Sequence, residues 1–449
     1  MPQPETTIAA IATPPGIGGI AVIRISGPKA FGVAGEICFR GGKPLGVDRR
    51  EGQTLHPCVV RSGGQTVDEV VVSLFRGPKS YTGEDVVEIS CHGGVVTPRR
   101  IVELLVQRGV RLAGPGEFTQ RAFLNGKLDL TQAEAVADLI HARSTQAAAL
   151  ALGQLEGSLG RRIAEIRDSL MEVLAHLEAH IDFPDEDISP ETRGSHAAKC
   201  AGAGEKMEEL LRTAREGQLV RQGVRTVISG RPNVGKSSLF NALLGLDRAI
   251  VTAQAGTTRD TLEEVINLGG VPLVLTDTAG LRPTTDAAEA EGVRRSQRAL
   301  EQAELVLHVV EPAFEPEPVE DPRSVLVINK ADLLTDAEKS GLRNRDRQRP
   351  RVLVSARTGE GLEELRKVVC ERIGYVGQGE VLINGRHEEA LLRARQRLAQ
   401  VQQSLDERVT PELVAVDLRG TLAALGEVVG RTATEDLLDK IFSTFCIGK

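Results

Sequence analysis

The sequence predicts a multidomain α/β chain. An α+β N-terminal domain precedes a helical domain, and a P-loop nucleotide-binding domain, a mixed sheet with flanking helices, is inserted into the helical one. Three observations lead there. Alternating apolar residues mark short strands in the stretch before about Leu112. From about Leu128 the apolar period changes to three and four residues, and it returns after about Glu388. Between the two helical stretches, Gly230 is followed by four residues and then by Gly235, Lys236 and Ser237. That spacing is a glycine-rich loop whose backbone N–H groups wrap phosphates.

In the N-terminal region, Ile8 to Ile11, Ile20 to Ile25, Val67 to Phe75 and Val86 to Ser90 read as strands, and Pro98 to Gln107 as a helix. No catalytic constellation stands out there. His92 can act as a base or ligand, but no partner is visible in the sequence and a structural role is the simpler reading. In the helical region, Leu155, Leu159, Ile163, Ile166, Leu170, Val173, Leu177 and Ile181 recur on one face of a long amphipathic helix, which Pro184 brings to an end. A second helix is expected over about Ser195 to Gln222. After the inserted domain, further helices are expected over Glu388 to Leu405, Leu413 to Val429 and Thr434 to Phe445.

The inserted domain has the context that a phosphate loop needs. Val224 to Ser229 reads as a strand, and Ser238 to Leu244 as a helix opening. Lys236 would reach the β- and γ-phosphates, and the Ser237 hydroxyl would ligate Mg²⁺. Downstream come Gly256-Thr257-Thr258, then Asp277-Thr278-Ala279-Gly280, then Asn329-Lys330-Ala331-Asp332, then Ser355-Ala356. Each lies where a predicted strand ends, the ligand-binding edge of an open α/β sheet. The Asp332 carboxylate accepts two hydrogen bonds from guanine N1–H and its exocyclic amine, a pair that adenine lacks. GTP is therefore the expected nucleotide, against an ATPase or a decayed nucleotide fold.

Composition narrows the function classes. The 449 residues carry a net charge of −7, which argues against general affinity for nucleic acid and leaves room for a local basic patch. The six cysteines form no C-x-x-C pair, so zinc or disulfide frameworks are not expected. Neither a membrane-length apolar run nor a signal-peptide pattern is present, so a cytoplasmic protein with no membrane partner is expected.

The stretch Gly114-Pro115-Gly116-Glu117-Phe118-Thr119 through Asn125-Gly126-Lys127-Leu128-Asp129, together with Thr13 to Gly19, Arg24-Ile25-Ser26-Gly27 and Tyr81-Thr82-Gly83-Glu84-Asp85, resembles the bacterial tRNA-modification GTPases of the MnmE (TrmE) family. The resemblance runs from the first strand to the last residue. It implies a folate-binding-like, dimer-forming domain over 1–122, a helical domain over 123–219 and 375–449, and an inserted GTPase domain over 220–374.

It further implies that Asn233, Val234, Gly235, Lys236, Ser237 and Ser238, with Thr252, Ala253, Gln254, Ala255, Gly256, Thr257 and Thr258, line the nucleotide. Asp277, Thr278, Ala279 and Gly280, and the base loops Asn329, Lys330, Ala331, Asp332, Ser355 and Ala356, complete the set. Ser237 and Thr258 would hold Mg²⁺, while Asn233, Thr252, Gln254 and Thr257 would hold K⁺. Many GTPases place a glutamine directly after Asp-x-x-Gly; here Leu281 stands there and cannot orient water. By its offset from Asp277 the acid chosen instead is Glu289, with Glu291 and Asp286 as competitors.

In the N-terminal domain the same resemblance assigns Arg24, Glu88, Lys127 and Lys449 to 5-formyltetrahydrofolate or a related one-carbon folate. It also makes Cys446, in the terminal Phe445-Cys446-Ile447-Gly448-Lys449, a thiol participant. The implied assembly is a homodimer, joined in a heterotetramer by the FAD-containing protein MnmG (GidA), acting on the wobble uridine of certain tRNAs. A regulatory RNA-binding GTPase and a folate enzyme with structural GTP are the competing readings.

Overall fold

The structure, a computed structural model, describes residues 6–46, 53–182, 190–246, 263–277, 298–313, 321–344, 351–375, 377, 379, 381–407 and 409–449. It divides into two compact units. The first comprises the described residues of Met1–Ala137, Gln154–Ile181 and Pro411–Lys449, and the second those of Asp138–Gly153 and Asp182–Thr410.

The first unit is built on β1 (Ile8–Ile11), β2 (Ile20–Ser26), α1 (Ala30–Ile37), β3 (Cys38–Arg40), β4 (Lys43–Pro44), β5 (Thr54–Ser62), β6 (Gln65–Phe75), β7 (Val86–His92), α2 (Val96–Val106) and β8 (Arg111–Leu112). The strands form one sheet in the order β4-β3-β5-β6-β7-β2-β1-β8. Alternation sends Ala21, Ile23 and Ile25 of β2 into a core shared with Ile37, Val72, Ile89, Ile101 and Leu105. Arg24 and Glu88, partners across β2 and β7, have the opposite parity and stand on the other face. β5 escapes sequence reading because Pro57 interrupts it. Its pairing with β3 is confined to Val59 and Val60, so the missing N–H of Pro57 falls where the strand has a neighbour on one side only.

Four helices follow in the chain: α3 (Glu117–Leu124), α4 (Leu130–His141), α5 (Thr145–Leu155) and α6 (Ser158–Asp182), of which the end of α4 and most of α5 fall in the second unit. The expected long helix is α6, with Leu159, Ile163, Ile166, Leu170, Val173 and Leu177 buried along one stripe. Leu155, read as its first turn, instead closes α5. Gly157, at φ +86°, makes the turn between them.

The second unit contains α7 (Pro190–Arg212) and α8 (Ala214–Gln222), so the single helix expected over Ser195 to Gln222 is two, divided at Thr213. Next come β9 (Val224–Ser229), α9 (Lys236–Leu246), β10 (Glu263–Leu268), β11 (Val271–Asp277), β12 (Leu305–Val310), β13 (Ser324–Ile328), α10 (Asp336–Asn344), β14 (Arg351–Leu353), α11 (Leu362–Ile373) and α12 (Gly385–Asp406). The sheet order is β10-β11-β9-β12-β13-β14, parallel throughout except for the β10/β11 hairpin. Leu239 of α9 and Leu365 and Val369 of α11 pack on Ile228, Leu273, Leu307 and Val327. The chain returns to the first unit in α13 (Pro411–Val428) and α14 (Glu435–Phe442). Among the described residues no helix is long and apolar enough to cross a membrane.

Candidate functional site

The nucleotide loops converge on the C-terminal edge of the second unit's sheet. Between β9 and α9 the chain turns on two glycines at positions where a side chain would be strained and would collide with its surroundings. A Cβ on Gly230 (φ +146°) would lie 2.2 Å from the Val309 carbonyl oxygen, and one on Gly235 (φ +92°) 2.2 Å from the Asn329 amide nitrogen. Asn233 also takes a left-handed backbone, at φ +66°. The Lys236 ammonium donates to the carbonyls of Gly230 and Arg231 at 2.8 and 2.9 Å, which holds its charge over the loop. Val234 is buried, while Asn233, Ser237 and Ser238 are exposed. The Ser237 hydroxyl is therefore open to a metal ion. Among the described residues no group of three or more His, Cys, Asp or Glu side chains gathers to hold one.

Asn329 joins the loops. Buried to 2% exposure, it donates from its amide to the Val234 carbonyl at 3.0 Å and accepts from the Ala356 amide at 3.1 Å. Ala331 N–H bonds the Val354 carbonyl at 3.0 Å, and the Ser355 hydroxyl donates to Asp332 at 2.7 Å. That bond, then a backbone hydrogen bond and the charges of Arg357 and Lys339, outweighs desolvation and holds the Asp332 carboxyl below its usual range, ready to accept from a base. Lys330, at φ +64°, donates to the Asn233 carbonyl at 3.3 Å and pairs with Glu311 just past β12. Glu311 is a site residue that sequence reading did not single out; its place directly after a parallel strand was the available signal. Asp277 closes β11 in register with Ile228, one strand from the phosphate loop. Thr252, Ala253, Gln254, Ala255, Gly256, Thr257, Thr258, Thr278, Ala279, Gly280 and Glu289, with Glu291 and Asp286, lie outside the described residues.

The second site lies in the first unit. Arg24 Nε donates to Glu88 Oε1 at 2.8 Å, and its guanidinium also reaches the Gly448 carbonyl at 3.3 Å. The rings of Tyr81 and Phe118 lie 5.2 and 5.7 Å from the guanidinium carbon, within cation–π range. Glu88 is thus already engaged by Arg24, where the sequence suggested that each was directed to a ligand. The C-terminal segment is fastened by a bridge between Pro115 and Ile447, by Gly116 N–H to the Cys446 carbonyl at 3.4 Å, and by Phe118 N–H to the Lys449 carbonyl at 3.2 Å. Gly448, at φ +96°, fits where a Cβ would lie 2.6 Å from the Ile11 carbonyl oxygen.

Burial, then the nearby Arg24, push the Lys449 ammonium below the usual lysine range, and Glu88 opposes them. The Cys446 side chain is exposed. Lys127 donates to the Pro78 carbonyl at 3.0 Å, on the loop that carries Tyr81. Beneath this site, Arg121, 3% exposed, bonds the Thr6 carbonyl at 2.8 Å, Glu84 at 3.0 Å and Glu117 at 3.1 Å. His92, which lacked a visible partner in sequence, meets Asp68 with Nδ1 at 2.7 Å.

A mostly parallel sheet carrying a glycine phosphate loop and an Asn-Lys-x-Asp base loop defines a P-loop GTPase. Residues 7–127 match the domain described as GTP-binding protein TrmE N-terminus, and residues 130–446 match the MnmE helical domain. The tRNA modification GTPase MnmE of Symbiobacterium thermophilum is 51% identical over 99% of this chain and 100% of its own length. Those of Moorella thermoacetica (46%, over 99% and 100%) and Akkermansia muciniphila (45%, over 100% and 100%) are similar throughout. The chain belongs to the tRNA modification GTPase MnmE family.

Proposed function

We propose that this chain is a K⁺-assisted GTPase whose cycle governs a folate-fed modification of the wobble uridine of tRNA. The observation that carries the reading is the coexistence of two sites. One is a set of guanine-nucleotide loops tied together by Asn329, and the other joins Arg24, Glu88 and Lys449 beside an exposed Cys446. In this reading residues 1–122 bind the one-carbon folate and form the homodimer, 220–374 form the inserted GTPase domain, and 123–219 with 375–449 form the helical domain.

At the nucleotide, the loop N–H groups and Lys236 balance phosphate charge, and Ser237 and Thr258 ligate Mg²⁺. Asn233, Thr252, Gln254 and Thr257 would hold K⁺, which would supply there the positive charge that an arginine finger brings elsewhere. Glu289 orients the attacking water by accepting its proton in a hydrogen bond. Asp332 and Ser355 select guanine.

In the first unit, the Arg24 and Lys449 cations suit the carboxylates of a formyltetrahydrofolate tail. Glu88 shares its carboxylate between Arg24 and the pterin N–H groups. Cys446 offers a thiol to the uridine chemistry. Flavin and nicotinamide chemistry belongs to the partner MnmG (GidA) in a heterotetramer, and the product is a 5-carboxymethylaminomethyl or aminomethyl uridine.

GTP turnover measured in K⁺ and in Na⁺ at equal ionic strength tests the first half. Strong K⁺ stimulation that is lost in Asn233→Ala, with Glu289→Ala binding GTP but failing to turn over, supports it. Equal rates in the two salts would remove the cation-assisted step. Reconstitution with the flavoprotein, tRNA and a one-carbon folate tests the second half by the mass of the modified nucleoside.

A further inference from the structure

A tRNA substrate sets a problem for a chain of net charge −7: RNA must land on a local surface whose charge departs from the whole. The second unit carries such a surface. At the starting ends of β9, β12 and β13 lies a cleft of about 370 Å³ lined in part by Arg215, Gln218, Gln222, Glu304, Arg323 and Arg372. The phosphate loop follows the far end of β9, and a strand of six residues rises roughly 20 Å, so the cleft and the nucleotide occupy opposite edges of the sheet.

The local structure explains the donors. Ala214, Gly217 and Val220 bury one face of α8, which leaves Arg215, Gln218 and Gln222, at three- and four-residue steps, on the opposite face along the cleft. Arg323 is fixed by Asp321, with Nε at 3.0 Å and a terminal nitrogen at 2.8 Å, and also donates to the Ala303 carbonyl at 2.7 Å. Glu304 accepts from the Arg225 amide at 3.0 Å, with the Arg225 guanidinium at 3.7 Å. Arg372, in the last turn of α11, contributes to the field at Asp321. Neither Arg215 nor Arg372 is engaged in an ion pair among the described residues. The lining thus holds three guanidiniums and one carboxylate, Glu304, which Arg225 already engages from beside the cleft, while Asp321 engages Arg323. The lining contains no aromatic ring on which a base could stack, and its amides and guanidiniums are all donors to oxyanions.

We propose that this cleft is a docking surface for the phosphodiester backbone of RNA, with Arg215 and Arg372 as its phosphate contacts. The inference rests on the tRNA-substrate reading above and adds to it where the RNA is held. Backbone contacts of this kind set position and affinity without reading sequence, which fits a protein whose target base is treated elsewhere.

The test uses the full chain and the Arg215→Ala/Arg372→Ala variant, with tRNA binding followed by fluorescence anisotropy from about 50 to about 200 mM KCl. Loss of two phosphate contacts is expected to weaken binding about tenfold at the low-salt end, and to reduce the steepness of log K against log salt by about two. Arg215→Lys/Arg372→Lys should keep most of that steepness, which separates charge from packing. GTP turnover without RNA and the thermal melt should match the parent protein. An unchanged salt slope in the alanine variant overturns the proposal. If the parent protein binds no tRNA, the tRNA reading itself fails. A generic single-stranded RNA in the same salt series then decides the cleft, since equal slopes for parent and variant would refute it.

Discussion

Arg24 Nε lies 2.8 Å from Glu88 Oε1, and the same guanidinium touches the carbonyl of Gly448 at 3.3 Å. One cation thereby joins two neighbouring strands to the C-terminal segment, with Tyr81 and Phe118 on its faces. The side chain is oriented before any ligand arrives, which lowers the entropy that a bound anion would otherwise have to overcome.

The charge balance at Lys449 gives a signed prediction. Burial and Arg24 lower its pKa from the ordinary 10.5, while Glu88 raises it. Glu88→Gln should therefore lower the Lys449 value further, read by NMR titration of the labelled lysine side chain. A rise would contradict the arrangement. In the parent protein the unfolded chain binds the extra proton between the depressed value and 10.5, so Lys449 makes folding more favourable as pH climbs through that window.

Asn329→Ala removes both bonds of a buried amide and leaves the Val234 carbonyl and the Ala356 N–H without that partner. The expected cost is about 1–3 kcal/mol in urea unfolding, together with weaker GTP binding. Unchanged stability and affinity would show that the loops hold their shape without it.

Asp332→Asn exchanges an acceptor for an amide donor at the base. Discrimination should turn from GTP toward xanthosine triphosphate, whose 2-oxo group accepts where guanine donates. Competition binding with the two nucleotides measures it, and retained GTP preference would move base selection to another residue.

Arg121→Met should be among the most damaging single changes in the first unit, costing about 3–5 kcal/mol, because it leaves the Glu84 and Glu117 carboxylates short of a cation beneath the site. Burial alone would raise the Glu117 pKa. Hydrogen bonds from Arg111, the Gly114 amide and Arg121 outweigh it and bring the value below the ordinary carboxylate range. That stabilisation is present at neutral pH and is lost as pH falls through the depressed value. Acid unfolding should therefore begin at higher pH in the variant, and coincident acid midpoints would count against the network.

Much of the nucleotide site was legible because its parts are local words: a loop between one strand and one helix, then Asn-Lys-x-Asp at a strand end. What escaped depends on distant pairing or on one local exception. Glu311 acquires meaning only when Lys330 comes beside it, and Asp68 only when β6 lies against β7 and brings it to His92. Pro57 concealed β5, and Gly157 separated Leu155 from the stripe that it seemed to begin. The union of Arg24, Glu88 and Lys449 was inferred from resemblance, because no periodicity links residues at opposite ends of a chain. Thr258 and Glu289 stay expectations, as they lie outside the described residues.

The bond from Arg24 to Gly448 spans 424 positions of sequence. During synthesis the first sheet can leave the ribosome and fold on the order of tens of seconds before Gly448 exists. In that interval the Arg24 and Glu88 pair is assembled without the segment that carries Cys446. The C-terminal segment thus closes on an Arg24–Glu88 pair already in place, and only after translation has passed the last helix.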